Sequence, residues 1–419
     1  MSFQDLTPAK ALEYIRTQTS IFSENAQLGV REIAHEEGDG YVNHLYRIWD
    51  RQGKTVIIKQ AKPYFSRFGQ EAAIPVPVIR NRLEIDTYKI KSAIIPEYLI
   101  PILHTDTANH LFVQQYCTLP ILRMQLCQGI SFPALPQMLG NCIGKNAFYT
   151  SEFFLEQSMH KLLGAHFSNP GMCQIMEDLL FDIESSFGDP DENSRFLATH
   201  YNFVPTLKQD TKLIVEIMTL RDIYSKRPEC LVHGDLHTSN IMISQNTLKI
   251  FDLEYTHMGA ISSDIGYLCG NMLYPYIVWL FRHDKAKQEK DSFRKEILLY
   301  IEQTIEIFIE TFKQCWYKDA KPYFKKTPQY IDTLFANLIA EVSGFMGTQL
   351  LMTTASRPGV FDFSTIDSEQ NREKARLLSV LLGSSLIKYR TSFQTINQVL
   401  DTIRNVTEDF IKTSEKRRF

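Results

Sequence analysis

The chain has no C-x-x-C pair; its seven cysteines, at positions 117, 127, 142, 173, 230, 269 and 315, are scattered over 419 residues. That spacing excludes the common zinc sites and a disulfide framework, and it predicts reduced thiols in a cytoplasmic protein. Surplus charge of one sign is also missing. Lys and Arg number 45 against 48 Asp and Glu, a formal net charge of -3, so no global field draws the chain to nucleic acid or an anionic membrane, and a small-molecule partner is expected. The most apolar run, "IGYLCGNMLYPYIVWLF" at 265–281, falls short of a comfortable membrane span, contains Asn271 and Pro275, and reads as a buried helix. The first residues lack the basic-then-apolar order of a signal peptide. No biased tract or fixed-period repeat interrupts a composition of 44% hydrophobic and 22% charged residues, so the chain is expected to fold nearly throughout.

At this length one hydrophobic core is rarely enough, and two structural units are expected. The first hundred or so residues alternate strand and turn signals. "GVREIAH" and "HLYRIWD" flank "EEGDGYVN", and "DRQG" turns the chain into the β-branched run "KTVIIKQA". A helical spacing follows at Ile79, Leu83, Asp86/Thr87 and Ile90, then the apolar runs "YLIPIL" and "HLFVQQYC". From about Thr118 long amphipathic helices dominate, such as "RKEILLYIEQTIEIFIETFKQCW". The expectation is α+β: a small N-terminal β-sheet lobe, residues 1–117, and a larger, mainly helical C-terminal lobe, residues 118–419.

The helical part is interrupted by "LVHGDLHTSNIMISQNTLKIFDLEY", residues 231–255. Asp235 precedes Asn240 with the spacing of the kinase catalytic loop H-R-D-x-x-x-x-N, and His233 stands two residues before it. Asp252 follows an apolar strand run, where kinases place the Asp of D-F-G. Phosphoryl transfer needs one carboxylate for the attacking hydroxyl and further oxygen ligands for Mg²⁺ on the nucleotide phosphates. Asp235 is therefore the candidate base, and Asn240, Asp252 and Glu254 the candidate metal ligands. His233 and His237 read as supports of the turn, with His233 also a candidate substrate contact. Upstream, Lys59 in "VIIKQA" sits where a phosphate lysine would, with Glu84 or Asp86 as its partner. Gly38, Gly40 and Asn43 in "GDGYVN" are candidates for the loop over the phosphates, and Gln115 and Tyr116 for the strand end that meets the nucleotide base. The bland alternative is a polar turn between two strands.

With these residues placed, the chain resembles the S-methyl-5-thioribose kinase family, within the aminoglycoside and choline kinase-like phosphotransferases. The resemblance rests on "GDGYVNHLYRI", "IIKQAKPY", "ILRMQLCQGISFP", "FYTSEFFLE", "HFSNPGMCQIMEDLLF", "HGDLHTSN", "DLE" and "SSDIGYLCGNML", in family order. It implies a bilobal protein-kinase-like fold, ATP and Mg²⁺, a homodimer, and phosphorylation of the 1-hydroxyl of methylthioribose. It also implies the roles above for Asp235, Asp252, Glu254, Lys59, Gly38 and Gly40.

Three departures stand out. Where the family carries adjacent arginines after "GFMGTQLL", this chain has Met352 and Thr353, and the nearest cation, Arg357, is a candidate substrate contact. "SRFGQEAAIPVP" lacks the family's tryptophan. At the catalytic loop the family pattern is nearer H-G-D-L-H-T-G-S, against Ser239 and Asn240 here. The acceptor thus stays open between methylthioribose and another hydroxyl-bearing metabolite, such as an amino alcohol, aminoglycoside or modified nucleoside. A nucleotide-binding pseudokinase is the non-catalytic alternative.

Overall fold

The structure, a computed structural model, describes residues 5–33, 42–65, 74–182, 204–356 and 360–416. The chain divides into two compact units. The first joins residues 1–119 to two short later segments, 169–172 and 249–256; the second holds the rest.

In the first unit, β1 (Leu28–Glu32), β2 (Asn43–Asp50), β3 (Thr55–Ala61), β6 (Ile102–Asp106) and β7 (Leu111–Gln115) form an antiparallel sheet in the order β1-β2-β3-β7-β6. Two-residue strands β4 (Tyr64–Phe65) and β5 (Ile74–Pro75) pair beside it. One face, carrying Tyr46, Ile48, Val56, Ile58 and Val113, packs with Ala11 and Ile15 of helix α1 (Pro8–Gln18). Strand alternation therefore sends Lys59, one residue past Ile58, to the other face. Its register neighbours there are Leu45 and Phe112.

Helix α2 (Ile79–Ser92) occupies the segment where helical spacing was read. Its buried face differs from the apolar reading. Leu83 is buried, but Ile79 is 46% exposed, and the stripe Arg80, Glu84, Thr87 and Lys91 is buried instead. These lie four, three and four residues apart, one helix face. A polar stripe of this kind is tolerable only with partners for its charges.

The second unit is mainly helical, so the α+β class holds. Its helices Leu135–Tyr149 and Lys287–Asp319 pack on each other, as do Leu338–Ser356 and Glu369–Lys388. The helix Ile261–Leu280 is buried from Ile261 to Trp279, as its apolar composition predicts. Residues 330–355 are long and apolar enough to span a membrane by length and composition, yet 67% of the tested window is buried in the protein.

Asp210 joins two helices of this unit. Its Oδ1 caps Thr211–Lys226 by accepting the Leu213 N–H at 3.1 Å, and its Oδ2 meets Lys388 Nζ at 2.5 Å. Burial works to raise its carboxyl, but the Lys388 and backbone hydrogen bonds outweigh it and hold the pKa below the ordinary value. A depressed carboxylate stabilises above its unfolded pKa, and that contribution disappears as pH falls through the folded value. Asp210→Ala should cost about 1 kcal/mol in urea denaturation at neutral pH, and the deficit should vanish in acid.

Candidate active site

In the first unit, a charge cluster gathers on the Lys59 face of the sheet. Lys59 Nζ donates to Glu84 Oε1 at 2.8 Å and to Asp252 Oδ1. The partner is Glu84, not Asp86, which pairs with Lys89 and Arg82. Glu84 Oε1 also accepts the Leu253 N–H at 3.0 Å, so one carboxylate fixes both the lysine and the backbone beside Asp252. Asp252 itself has φ 65°, a left-handed conformation that costs a non-glycine residue about 1 kcal/mol or more and that concentrates at functional sites. Glu254, 2% exposed, accepts from Arg80 Nε at 3.0 Å and Asn43 Nδ2 at 3.1 Å. Asn169 completes the frame, its Nδ2 donating to the Glu254 and Thr256 carbonyls at 2.9 Å.

Electrostatics explain the polar stripe of α2. Burial opposes the Lys59 charge, but Asp252, Glu84 and Glu254 overcome it and raise its pKa well above the ordinary value. Burial also pushes Glu84 up, to about 7, opposed by Lys59 and reinforced by Asp252 and Glu254. Three carboxylates thus face two cations, Lys59 and Arg80. Oxygens of Glu84, Asp252 and Glu254 lie within 4.8 Å of one another. Glu84 Oε2 and Asn43 Oδ1 are buried without a hydrogen-bond partner. An excess of hard oxygen donors with lone pairs unspent fits a divalent cation such as Mg²⁺.

The second unit holds the turn at 233–240. Strand β8 (Cys230–Val232) pairs antiparallel with His257–Gly259 and ends at the turn. Gly234, at φ 84°, makes the reversal that a side chain would resist. Helix Ile261–Leu280 grips the turn at two levels. Asp264 accepts the His233 and Gly234 N–H groups at 2.7 and 3.0 Å, and Asn271, two turns along, accepts the Thr238 N–H at 3.0 Å and its hydroxyl. Asp264 is therefore a brace of the turn. Between these grips lies Asp235, whose side chain is 27% exposed, with His237 Nε2 at 3.4 Å from Oδ2. Asn240 Nδ2 folds back onto the Asp235 carbonyl at 3.0 Å.

Other candidates are placed as follows. His233 is buried and its Nδ1 takes the Asp235 N–H at 3.3 Å, so its part here is to support the turn, as His237 does for the Ser239 N–H. Gln115 and Tyr116 stand at the end of β7, but their own N–H groups are spent on the Pro101 and Thr55 carbonyls. The Tyr116 ring lies 4.3 Å from the Arg47 guanidinium. Gly38, Gly40 and Arg357 lie outside the described residues. Met352 is fully buried, and the Thr354 hydroxyl meets that of Ser379 at 3.0 Å. Reading the sequence missed Arg80, Asn169 and Asn271. Asn169 and Asn271 lie inside runs that carry the resemblance, "HFSNPGMCQIMEDLLF" and "SSDIGYLCGNML", but neither was given a role.

Comparisons with known proteins find relatives among phosphotransferases. Residues 201–290 match the model of the phosphotransferase enzyme family APH. Methylthioribose kinase from Bacillus cereus (strain B4264) is 29% identical over 393 residues, 93% of this chain and 94% of the relative. The Bacillus thuringiensis (strain Al Hakam) methylthioribose kinase matches to the same extent. Among solved structures, Plasmodium vivax ethanolamine kinase aligns over 92% of this chain and 89% of its own, at 14% identity and a TM-score of 0.46. Along nearly its whole length, then, this chain is similar to methylthioribose kinases, and the segment that matches the APH phosphotransferase model includes the turn at 233–240.

Proposed function

We propose that this kinase transfers the γ-phosphoryl group of ATP to a hydroxyl of a small molecule, with the 1-hydroxyl of 5-methylthioribose as the leading acceptor. The observation that carries the reading is the pairing of buried Lys59 with buried Glu84 and partly exposed Asp252, with Asp252 in a left-handed conformation. A buried lysine kept charged by neighbouring carboxylates carries a desolvation cost, which a role on an anionic ligand accounts for.

Asp252, Glu254 and Asn240 would hold Mg²⁺, which supplies neutralisation of the phosphate charge. Lys59 carries the fixed positive charge for the nucleotide phosphates, and Glu84 keeps it aimed. Gly38, Gly40 and Asn43 are the residues proposed for the phosphates, and Gln115 and Tyr116 those proposed for the base. Asp235 accepts the proton of the acceptor hydroxyl as that oxygen bonds to the γ-phosphorus and the bond to ADP breaks. The turn's two grips keep Asp235 in place for this without using its carboxylate.

A second acceptor class is favoured by one observation. Met352, where the resemblance expects an arginine, is 0% exposed and brings no charge to a substrate, so an amino alcohol, aminoglycoside or modified nucleoside is the alternative. Arg357, the next cation along the sequence, is then the proposed acceptor contact. A panel of hydroxyl compounds scored by acceptor-dependent ADP release decides: release with methylthioribose alone supports the leading reading, and release with another class replaces it. Tight ATP binding with no acceptor-dependent release on the whole panel would identify a pseudokinase. The reading includes a cytoplasmic location, in keeping with seven cysteines that form no disulfide, and a homodimer, checked by light scattering of the purified protein.

A further inference from the structure

The turn carrying Asp235 and Asn240 is gripped on one side by Asp264 and Asn271. It is also touched at Ser239. Arg123, on the helix Leu122–Gln128, donates from Nη1 to Ser239 Oγ at 3.0 Å. The rest of this guanidinium is committed elsewhere, with Nε at 2.7 Å and Nη2 at 2.5 Å from Asp362 Oδ2. Asp362 is fully buried, and its other oxygen accepts from the Cys127 thiol at 3.3 Å. A buried carboxylate held on both oxygens fixes the plane of the arginine that pairs with it, because the guanidinium is a rigid fork. The third limb of that fork then points in one direction, and Ser239 lies there.

We propose that Arg123, aimed by Asp362, is a positioning residue that hooks the catalytic turn through the Ser239 hydroxyl. The proposal rests on the kinase reading given above. Ser239 sits between Thr238, held by Asn271, and Asn240, whose amide folds onto the Asp235 carbonyl. A displacement at 239 therefore reaches the candidate metal ligand Asn240 through one peptide unit and, through the Asn240 amide, the backbone carbonyl of the candidate base Asp235. The competing account is that Arg123 only neutralises Asp362, and under it Ser239 is incidental.

Ser239→Ala separates the two, because it removes the hook and leaves the ion pair intact. Hooking predicts that kcat falls about fivefold to twentyfold, in line with one hydrogen bond and a small misplacement of reacting groups. KM for ATP and for the acceptor should stay within twofold, and Ser239→Thr should restore most of the loss. Arg123→Lys, which retains charge but loses the fork, should lower kcat similarly even where the protein melts normally. Unchanged kcat in Ser239→Ala overturns the hook, as does a loss that Ser239→Thr fails to rescue. Acceptor-dependent ADP release by the parent protein tells the two failures apart: if the parent releases none with any acceptor the kinase reading itself fails, whereas an active parent and a dead Asp235→Asn beside a normal Ser239→Ala remove only the hook.

Discussion

Asp235→Asn should bind ATP with near-normal affinity and lose turnover by about a thousandfold, within the range seen when a general base is neutralised. The substitution keeps the shape and removes the charge. Its structural cost should be small, because Asp235 is partly exposed and His237 is the ion-pair partner of its carboxylate, at 3.4 Å. The turn is held instead through backbone groups of His233, Gly234 and Thr238, none of which the substitution touches. Melting temperature should therefore stay within a degree or two, and nucleotide binding by calorimetry should survive. Single-turnover measurements with saturating acceptor isolate the chemical step. Near-normal turnover in this variant would show that the carboxylate does not act on the acceptor hydroxyl and would reassign the base.

Lys59→Met should be the most damaging change in the first unit, for a different reason. It leaves Glu84, at 1% exposure, and its neighbour Asp252 without their shared cation, and breaking a buried pair from one side costs about 3 kcal/mol or more. The expected result is a lower urea midpoint together with loss of ATP binding by at least a hundredfold. The double variant Lys59→Met with Glu84→Gln should regain part of the stability and none of the binding, since it removes an uncompensated charge but supplies no cation. Mg²⁺ should raise the melting temperature of Lys59→Met more than that of Lys59→Met with Asp252→Asn, because the acidic set is then the better cation site. A stability for Lys59→Met equal to that of the parent would contradict the charge accounting of the cluster.

The sequence revealed most where signals are local. Lys59 stands in a β-branched strand after a turn, and the Asp235, Asn240 and Asp252 spacing survives in any alignment of the chain with itself. α2 was legible as a helix, because 3.6-residue spacing is local, but its buried stripe was not. Ile79 sits outside while Arg80 and Glu84 sit inside, because partners more than a hundred residues away in the chain, such as Glu254 for Arg80, decide which face is buried. Periodicity carries no information about such pairs. Asp264, in "SSDIG", reads from the sequence alone as either a cap of the following helix or a brace of the turn, and the fold makes it a brace by bringing the β8 end against that helix. Gln115 and Tyr116 were placed at the right strand end from chain order alone, yet chain order could not say that their N–H groups are already spent on Pro101 and Thr55.

The first unit borrows residues 249–256 from far along the chain, and this sets a timetable for biosynthesis. Arg80, fully buried, finds its carboxylate only when Glu254 has been made, and Lys59 waits likewise for Asp252. At the usual rate of roughly 5–20 residues per second, the sheet spends on the order of ten seconds or more on the ribosome with these cations unanswered. The N-terminal part is thus obliged to remain loose, or shielded by other proteins, until the catalytic segment emerges. The lobe that would bind nucleotide matures only after the turn that would use it has been synthesised.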